Sequence, residues 1–201
     1  MYFRIRKYSI FLQDSYVAEK AKYVNGECYF DFETIRTYFK DRFYVNTEEG
    51  IMLYPTATDI YEVVLGEGVS SYSVGDQTVP LKYAPAIYYK DVLHVSAEYL
   101  QLFNDFEYEF YPEPNRMLLY TEDTSYKQCK VKKETKIRTH GGVKSPIVAE
   151  VAEGEEVLVL EEMEEWTKVI LPNGFMGYLE NKRIEDLSSV SKNVQKHAID
   201  D

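Results

Sequence analysis

Two stretches of the chain match each other when the sequence is shifted by 65 residues. The first runs from Cys28 to Thr56 and the second from Leu93 to Thr121. Apolar positions pair well, as in Phe30 with Val95, Ile35 with Leu100, Tyr38 with Phe103 and Val45 with Phe110. A repeat of this kind constrains the fold because both copies are expected to form the same supersecondary unit.

Each copy predicts a short strand, a helix of two to three turns and a β-hairpin. Asp31 and Ser96 stand where a helix N-cap is expected, and a glutamate follows each in the first turn. A further strand is expected near Ile60–Leu65. Dipeptides that are typical of tight turns recur between the predicted strands: Asn25-Gly26, Glu49-Gly50, Gly75-Asp76 and Pro114-Asn115. Residues 1–126 are therefore expected to form one α+β domain with an internal strand–helix–hairpin duplication.

Residues 127–184 have a different pattern. Short strand-like runs recur every 8 to 12 residues with turn signals between them, which is typical of a small all-β barrel. Residues 185–201 are polar and rich in small side chains, so we expect a linker or a frayed end there.

Charge and cysteine content exclude several classes of partner. The formal net charge is −11, whereas nucleic-acid binding needs a basic face and an anionic membrane surface attracts basic segments. The two cysteines, Cys28 and Cys129, are too few for a disulfide scaffold, and their pairing is left open. We expect no contact with nucleic acid or membrane.

The stretch "EEWTKVILPNGFMGYLE" contains Trp166, which is the single tryptophan, and Tyr178 beyond a "PNG" turn. Two interpretations stay open. Both aromatic side chains could belong to the barrel core, or a face of one of them, with Arg138 and His140 nearby, could line a shallow groove. An aromatic face stacks on sugar rings or peptides, and an arginine suits a carboxylate.

The tyrosines of the first domain fall mostly on alternate strand positions, so we expect core and cross-strand pairs. Tyr83, Tyr88 and Tyr89 are different, because they lie beside two prolines at an expected sheet edge. They form a possible surface patch for a polysaccharide or a second copy of the protein.

Residues 130–184 resemble the bacterial SH3 domain (SH3b) of secreted cell-wall proteins. The matching segments are Ile137-Arg138-Thr139, Ser145-Pro146-Ile147-Val148, Gly154-Glu155-Glu156-Val157, Glu165-Trp166-Thr167-Lys168-Val169 and Pro172-Asn173-Gly174-Phe175-Met176-Gly177-Tyr178-Leu179. The sequence departs from the family at Thr135-Lys136 and at His140-Gly141. The resemblance implies a weak contact with peptidoglycan or another polysaccharide.

Residues 1–126 resemble the stalk domain named after the N-terminus of copper amine oxidases, which is common in surface proteins of Firmicutes. The duplicated unit carries the resemblance, with "DVLHVSAEYLQLF" as its best match. Despite its name that domain binds no copper, and we expect neither a metal nor a cofactor here.

A stalk domain followed by SH3b is similar to the N-terminal region of secreted Gram-positive family 18 glycoside hydrolases, where a catalytic barrel follows. The D-x-x-D-x-D-x-E motif of that family is absent, so we expect no catalytic residue in this chain and a catalytic domain beyond it. The implied function is extracellular or cell-surface wall targeting and spacing. The alternatives are a purely structural scaffold on a catalytic domain, a stand-alone envelope protein, or the targeting arm of a peptidoglycan peptidase.

Overall fold

A computed structural model describes residues 6–12, 15–112, 115–196 and 198–199. The protein is mostly β-structure, with 53% of its residues in the described strands. It divides into two compact units, the first built mainly from Tyr16–Glu107 and the second mainly from Tyr108–Val194. The hairpin that follows residue 107 therefore groups with the second unit, although the sequence assigns it to the first domain.

The elements up to residue 106 follow one another in chain order: β1 (Arg6–Leu12), β2 (Ser15–Val24), β3 (Glu27–Asp31), α1 (Phe32–Tyr38), β4 (Tyr44–Asn46), β5 (Ile51–Pro55), β6 (Ile60–Val64), β7 (Ser71–Val74), β8 (Gln77–Pro80), β9 (Ala86–Tyr89), β10 (Val92–Ser96) and α2 (Ala97–Leu100). The remaining elements are β11 (Glu107–Pro112), β12 (Asn115–Tyr120), β13 (Thr124–Val131), β14 (Thr135–Arg138), β15 (Ile147–Val151), β16 (Glu156–Glu162), β17 (Trp166–Ile170), β18 (Met176–Glu180), a 3-10 turn (Asn181–Arg183) and β19 (Ile184–Lys192).

Both predicted helix starts are confirmed. The Asp31 carboxylate accepts a hydrogen bond from the Thr34 N–H at 2.8 Å, and the Ser96 hydroxyl accepts one from the Tyr99 N–H at 3.1 Å. Each bond satisfies an N–H that the helix leaves without a partner. The second helix is shorter than predicted, because α2 ends at Leu100 and the chain continues in turns.

The strand that precedes α1 pairs with the strand that precedes α2. β3 and β10 run antiparallel, and Phe30 lies directly opposite Val95, which are the residues that the sequence repeat aligns. β2 and β9 flank this pair in the sheet. The two-residue turns at Asn25-Gly26 and Gly75-Asp76 are confirmed by the registers of the strands that they join. Pro114 lies outside the described residues.

A second sheet of the first unit has the strand order β4-β5-β6-β7-β8. Tyr54 and Tyr61 lie opposite each other on its inner face, and both are buried, as the alternating tyrosine pattern predicts. The Tyr54 ring stacks on Phe103 with a centroid distance of 3.7 Å. The aromatic content of this unit therefore fills its core.

The second unit contains an antiparallel sheet with the strand order β15-β14-β18-β17-β16-β13-β19. Its core consists of small aliphatic and thiol side chains: Cys129, Val131, Ile137, Val151, Val157, Val159, Val169, Leu171 and Leu179. The predicted runs between residues 130 and 180 form strands β14 to β18, with the Asn173-Gly174 turn between β17 and β18. Gly174 has φ +73°, in agreement with the predicted turn chemistry.

The prediction of a linker from residue 185 is wrong for its first half. Ile184–Lys192 forms β19 and pairs with the whole of β13, from Val131 opposite Ile184 to Thr124 opposite Lys192. Most side chains of β19 are exposed, and its apolar residues Ile184, Leu187 and Val190 follow no alternating pattern. Its stability comes from the backbone ladder with β13, which a sequence pattern does not record.

Candidate functional site

Trp166 and Tyr178 lie on the outer face of the second unit's sheet. On β17 Thr167, Val169 and, at the end of the strand, Ile170 are buried, whereas Trp166 is only half-buried. On β18 Leu179 is buried, whereas Tyr178 is half-buried. Successive strand residues point to opposite sides of a sheet. Both aromatic side chains therefore stand on the opposite side from the aliphatic core.

Arg138 lies beside these residues on the neighbouring strand. It is directly opposite Tyr178 in the β14–β18 register. Its Nη1 donates a hydrogen bond to the Ser145 carbonyl at 2.6 Å, in the loop between β14 and β15. This bond fixes one edge of a half-buried guanidinium group.

A cleft of about 210 Å³ brings Arg138 and Trp166 together. Its other lining residues are Glu134, Thr135, Lys136, Val143, Glu180 and Arg183. Tyr178 and His140 are not among them. Their rings instead stack on each other beside the cleft, with a centroid distance of 6.5 Å and an interplanar angle of 12°. The four predicted residues therefore form two pairs. Arg138 and Trp166 line the cleft, and His140 and Tyr178 stack on each other beside it.

The turn before Trp166 is held by Asn181 from the 3-10 turn. The Asn181 amide Nδ2 donates to the Met163 carbonyl at 2.8 Å, and the Asn181 Oδ1 accepts a bond from the buried Thr167 hydroxyl at 2.7 Å. The Met163 N–H in turn donates to the Trp166 carbonyl at 2.9 Å. These bonds fix the backbone at the start of β17 and so orient Trp166 toward the cleft.

Gly141 lies against the other side of Trp166. A Cβ atom built on Gly141 would stand 3.1 Å from both Cβ and Cγ of Trp166. The loop therefore approaches the tryptophan as closely as a residue without a side chain allows.

Ion pairs hold Glu180 at the cleft wall. Its Oε1 lies 2.7 Å from Lys182 Nζ, and its Oε2 lies 3.5 Å from Arg183 Nε. The hydrogen bond from Lys182 lowers the pKa of Glu180, and Arg183 adds to the effect. Glu180 is therefore a carboxylate whose charge is met by two neighbouring cations.

Several lining residues were not singled out in the sequence. Lys136 precedes Arg138 by two positions, and Glu180 follows Tyr178 by two, so strand alternation could have placed both on the same face as the predicted residues. Arg183 and Asn181 lie in a 3-10 turn, where no local periodicity indicates which way they face. Only the tertiary structure brings Arg183 to the cleft and Asn181 to the turn before Trp166.

The predicted patch of Tyr83, Tyr88 and Tyr89 is divided. Tyr88 and Tyr89 are consecutive on β9 and so point to opposite sides, and Tyr88 is 53% exposed. The Tyr89 ring centroid lies 5.7 Å from Nζ of both Lys22 and Lys90. The Tyr83 hydroxyl oxygen would lie 3.1 Å from a Cβ built on Gly26. The three rings do not form one continuous surface.

The described residues contain no group of three or more His, Cys, Asp or Glu side chains arranged to hold a metal ion. Cys28 and Cys129 are both buried thiols. Within the same residues, no helix is long and apolar enough to cross a membrane.

Comparison with family models, curated proteins and solved structures finds no match to this chain. The fold defines a mostly β protein of two units, one of which carries an outward-facing cleft with an aromatic wall and several cations.

Proposed function

We propose that this chain is a non-catalytic targeting and spacer region of an extracellular bacterial glycosidase of the chitinase-like family 18, and that it binds peptidoglycan or another wall polysaccharide. The observation that carries the proposal is the cleft in which Trp166 and Arg138 meet. A half-buried indole offers a flat face for a sugar ring, and the guanidinium offers donors for its polar substituents.

The finer fold assignments belong to the same proposal. The first unit is interpreted as a duplicated α+β stalk domain, supported by the capped helices after β3 and β10 and by the pairing of those strands. The second is interpreted as an SH3b barrel, supported by the short antiparallel strands β14 to β18. The spacer role follows from the resemblance alone.

Weak binding is sufficient for targeting. A tethered module raises the local concentration of a linked catalytic domain at its substrate, so a high-micromolar dissociation constant is useful in this role.

Sedimentation with purified peptidoglycan sacculi tests the proposal. We expect the protein to pellet with sacculi and Trp166→Ala to stay in the supernatant. Tyr44→Ala is the matched control, because Tyr44 is an aromatic residue that is 61% exposed and belongs to the first unit. Circular dichroism shows whether each variant folds. If the unmodified protein stays in the supernatant at high micromolar concentration, wall binding is wrong.

A second function, a scaffold that packs on a catalytic domain, is favoured by a different surface. The outer face of the β4–β8 sheet exposes Tyr44, Ile60 and Val64, of which Ile60 and Val64 are 57% and 53% exposed. Reading the gene beyond Asp201 tests this function first. If a catalytic barrel is encoded there, Val64→Lys is expected to loosen its packing, which solution scattering of the full-length protein would detect.

A further inference from the structure

We propose that the cleft beside Trp166 selects an acidic saccharide, one that carries a carboxylate or a comparable anionic group, over a neutral one. This inference rests on the wall-polymer binding proposed above and names the class of ligand for the same site. It also assigns ligand contacts to Lys136 and Arg183, which the sequence analysis did not name as candidate site residues.

Three cationic side chains line the cleft: Lys136, Arg138 and Arg183. Lys136 and Arg138 are two positions apart on β14 and therefore share one side of the strand. The chain as a whole has a net charge of −11. A general attraction for anions is thus excluded, and a cationic cleft on such a chain is a local feature.

The carboxylates at the cleft do not cancel this charge. Glu180 Oε1 lies 2.7 Å from Nζ of Lys182, a cation that does not line the cleft, whereas its Oε2 lies at the longer distance of 3.5 Å from Arg183 Nε, so Lys182 offsets most of the charge of Glu180. Glu134, the other acidic lining residue, is exposed at the start of β14, where solvent screens it. A ligand anion therefore meets more positive than negative charge.

Arg138 is the cation that we expect to contribute most. Its bond to the Ser145 carbonyl uses one donor of a planar group that has five, so the side chain is held in place while donors remain for a ligand. A guanidinium binds a carboxylate through two parallel hydrogen bonds. Lys136 is exposed and has Glu150 opposite it on β15, so its contribution is smaller.

The apolar part of the cleft is the reason that we propose a saccharide as the ligand. Trp166 forms one wall, and Val143, which is 67% exposed, lies at the rim. A pyranose ring has apolar C–H faces and polar edges. The indole suits a face of the ring, while the three cations suit an anionic substituent on its edge.

Titration calorimetry with oligogalacturonate and with its fully methyl-esterified form tests the inference, because the two probes share one sugar backbone and differ at the carboxyl group, which is an anion in the first and a neutral ester in the second. We expect the ester to bind at least about tenfold more weakly, as the loss of a charge-assisted bidentate contact implies. We expect Arg138→Gln to weaken binding of the acid about tenfold and binding of the ester by a clearly smaller factor, because the ester loses only neutral hydrogen bonds. Lys133→Gln removes an exposed cation that does not line the cleft, and it should change neither affinity.

The results separate this inference from the proposed function. Equal binding of acid and ester, or no binding of either while sacculi still bind through Trp166, overturns acid selectivity and leaves wall binding intact. No binding of sacculi or of either probe overturns both. If Arg138→Gln fails to fold, Lys136→Gln and Arg183→Gln take its place, and their affinity for the acid is measured. If neither variant lowers that affinity more than Lys133→Gln does, the inference is overturned.

Discussion

Gly141 and Trp166 are in such close contact that a methyl group on the glycine would lie 3.1 Å from two atoms of the tryptophan. Gly141 is not among the residues with positive φ, so alanine is compatible with its backbone. The glycine is therefore needed for space rather than for conformation. A Cβ there would also stand 3.2 Å from Met163 Cε, which is the end of a flexible side chain and can move, so the main effect falls on Trp166.

Gly141→Ala is expected to push Trp166 from its present position by a few tenths of an ångström or more. We expect sacculus binding to weaken severalfold, while the free energy of unfolding changes by only about 1 kcal/mol because the indole is half-exposed and can move. Trp166 is the single tryptophan, so its fluorescence emission reports the displacement directly. Gly142→Ala is the control, since its Cβ would meet only the Ser145 hydroxyl at 3.4 Å. Equal binding by both variants would contradict the prediction.

Gly174→Ala is expected to destabilise the second unit. Gly174 has φ +73°, and a Cβ there would stand 2.5 Å from the ring of Tyr111, whose hydroxyl is bonded to Glu109. Positive φ costs about 1 kcal/mol for alanine, and the overlap with a packed ring adds about 1–3 kcal/mol. Urea unfolding followed by Trp166 fluorescence measures the total.

Gly154→Ala separates the two contributions to that loss. Gly154 has φ +87°, but its Cβ would meet nothing closer than the end of the flexible Lys130 side chain at 4.0 Å. We therefore expect Gly154→Ala to show the conformational cost alone. If Gly174→Ala is no more destabilising than Gly154→Ala, the packing of Tyr111 against the turn is not as described.

Local chemistry made much of this fold predictable. Asp31 and Ser96 are helix caps because their side chains reach an N–H three residues ahead, an interaction that sequence spacing contains. Gly174 marks a turn because the turn needs a positive φ, which glycine adopts without strain. The cleft was predicted only at Arg138 and Trp166, because Arg183 reaches it through a 3-10 turn whose direction depends on β18 and β19. β19 was missed because a strand that is exposed on both faces has no hydrophobic period.

Cys129 is expected to react very slowly with thiol reagents in the native protein. Burial, with the hydrogen bond to Asp186 next, raises the pKa of this thiol to about 11. Since the thiolate is the nucleophile, only about one molecule in a thousand is reactive at pH 8. We expect both cysteines to react fully with dithionitrobenzoate in urea, and peptide mapping after brief alkylation to find Cys129 unmodified in buffer. Rapid native labelling of Cys129 would contradict its buried position.

His94 is expected to make the first unit less stable in mild acid. It is 2% exposed, and burial lowers the pKa of its imidazole, with a smaller contribution from Lys22. In the unfolded chain the imidazole has a pKa of about 6.5, so near and below that pH the unfolded state binds the proton more readily than the folded state does. Stability is therefore full above pH 6.5 and falls as pH decreases toward the lower folded pKa.

The variant His94→Asn tests this expectation. It keeps a donor near the Val92 carbonyl, which the His94 Nδ1 approaches to 2.9 Å, but the asparagine cannot titrate. Urea unfolding at pH 8 and pH 5.5 should show a smaller loss for His94→Asn than for the unmodified protein, and equal losses would mean that His94 does not carry the effect.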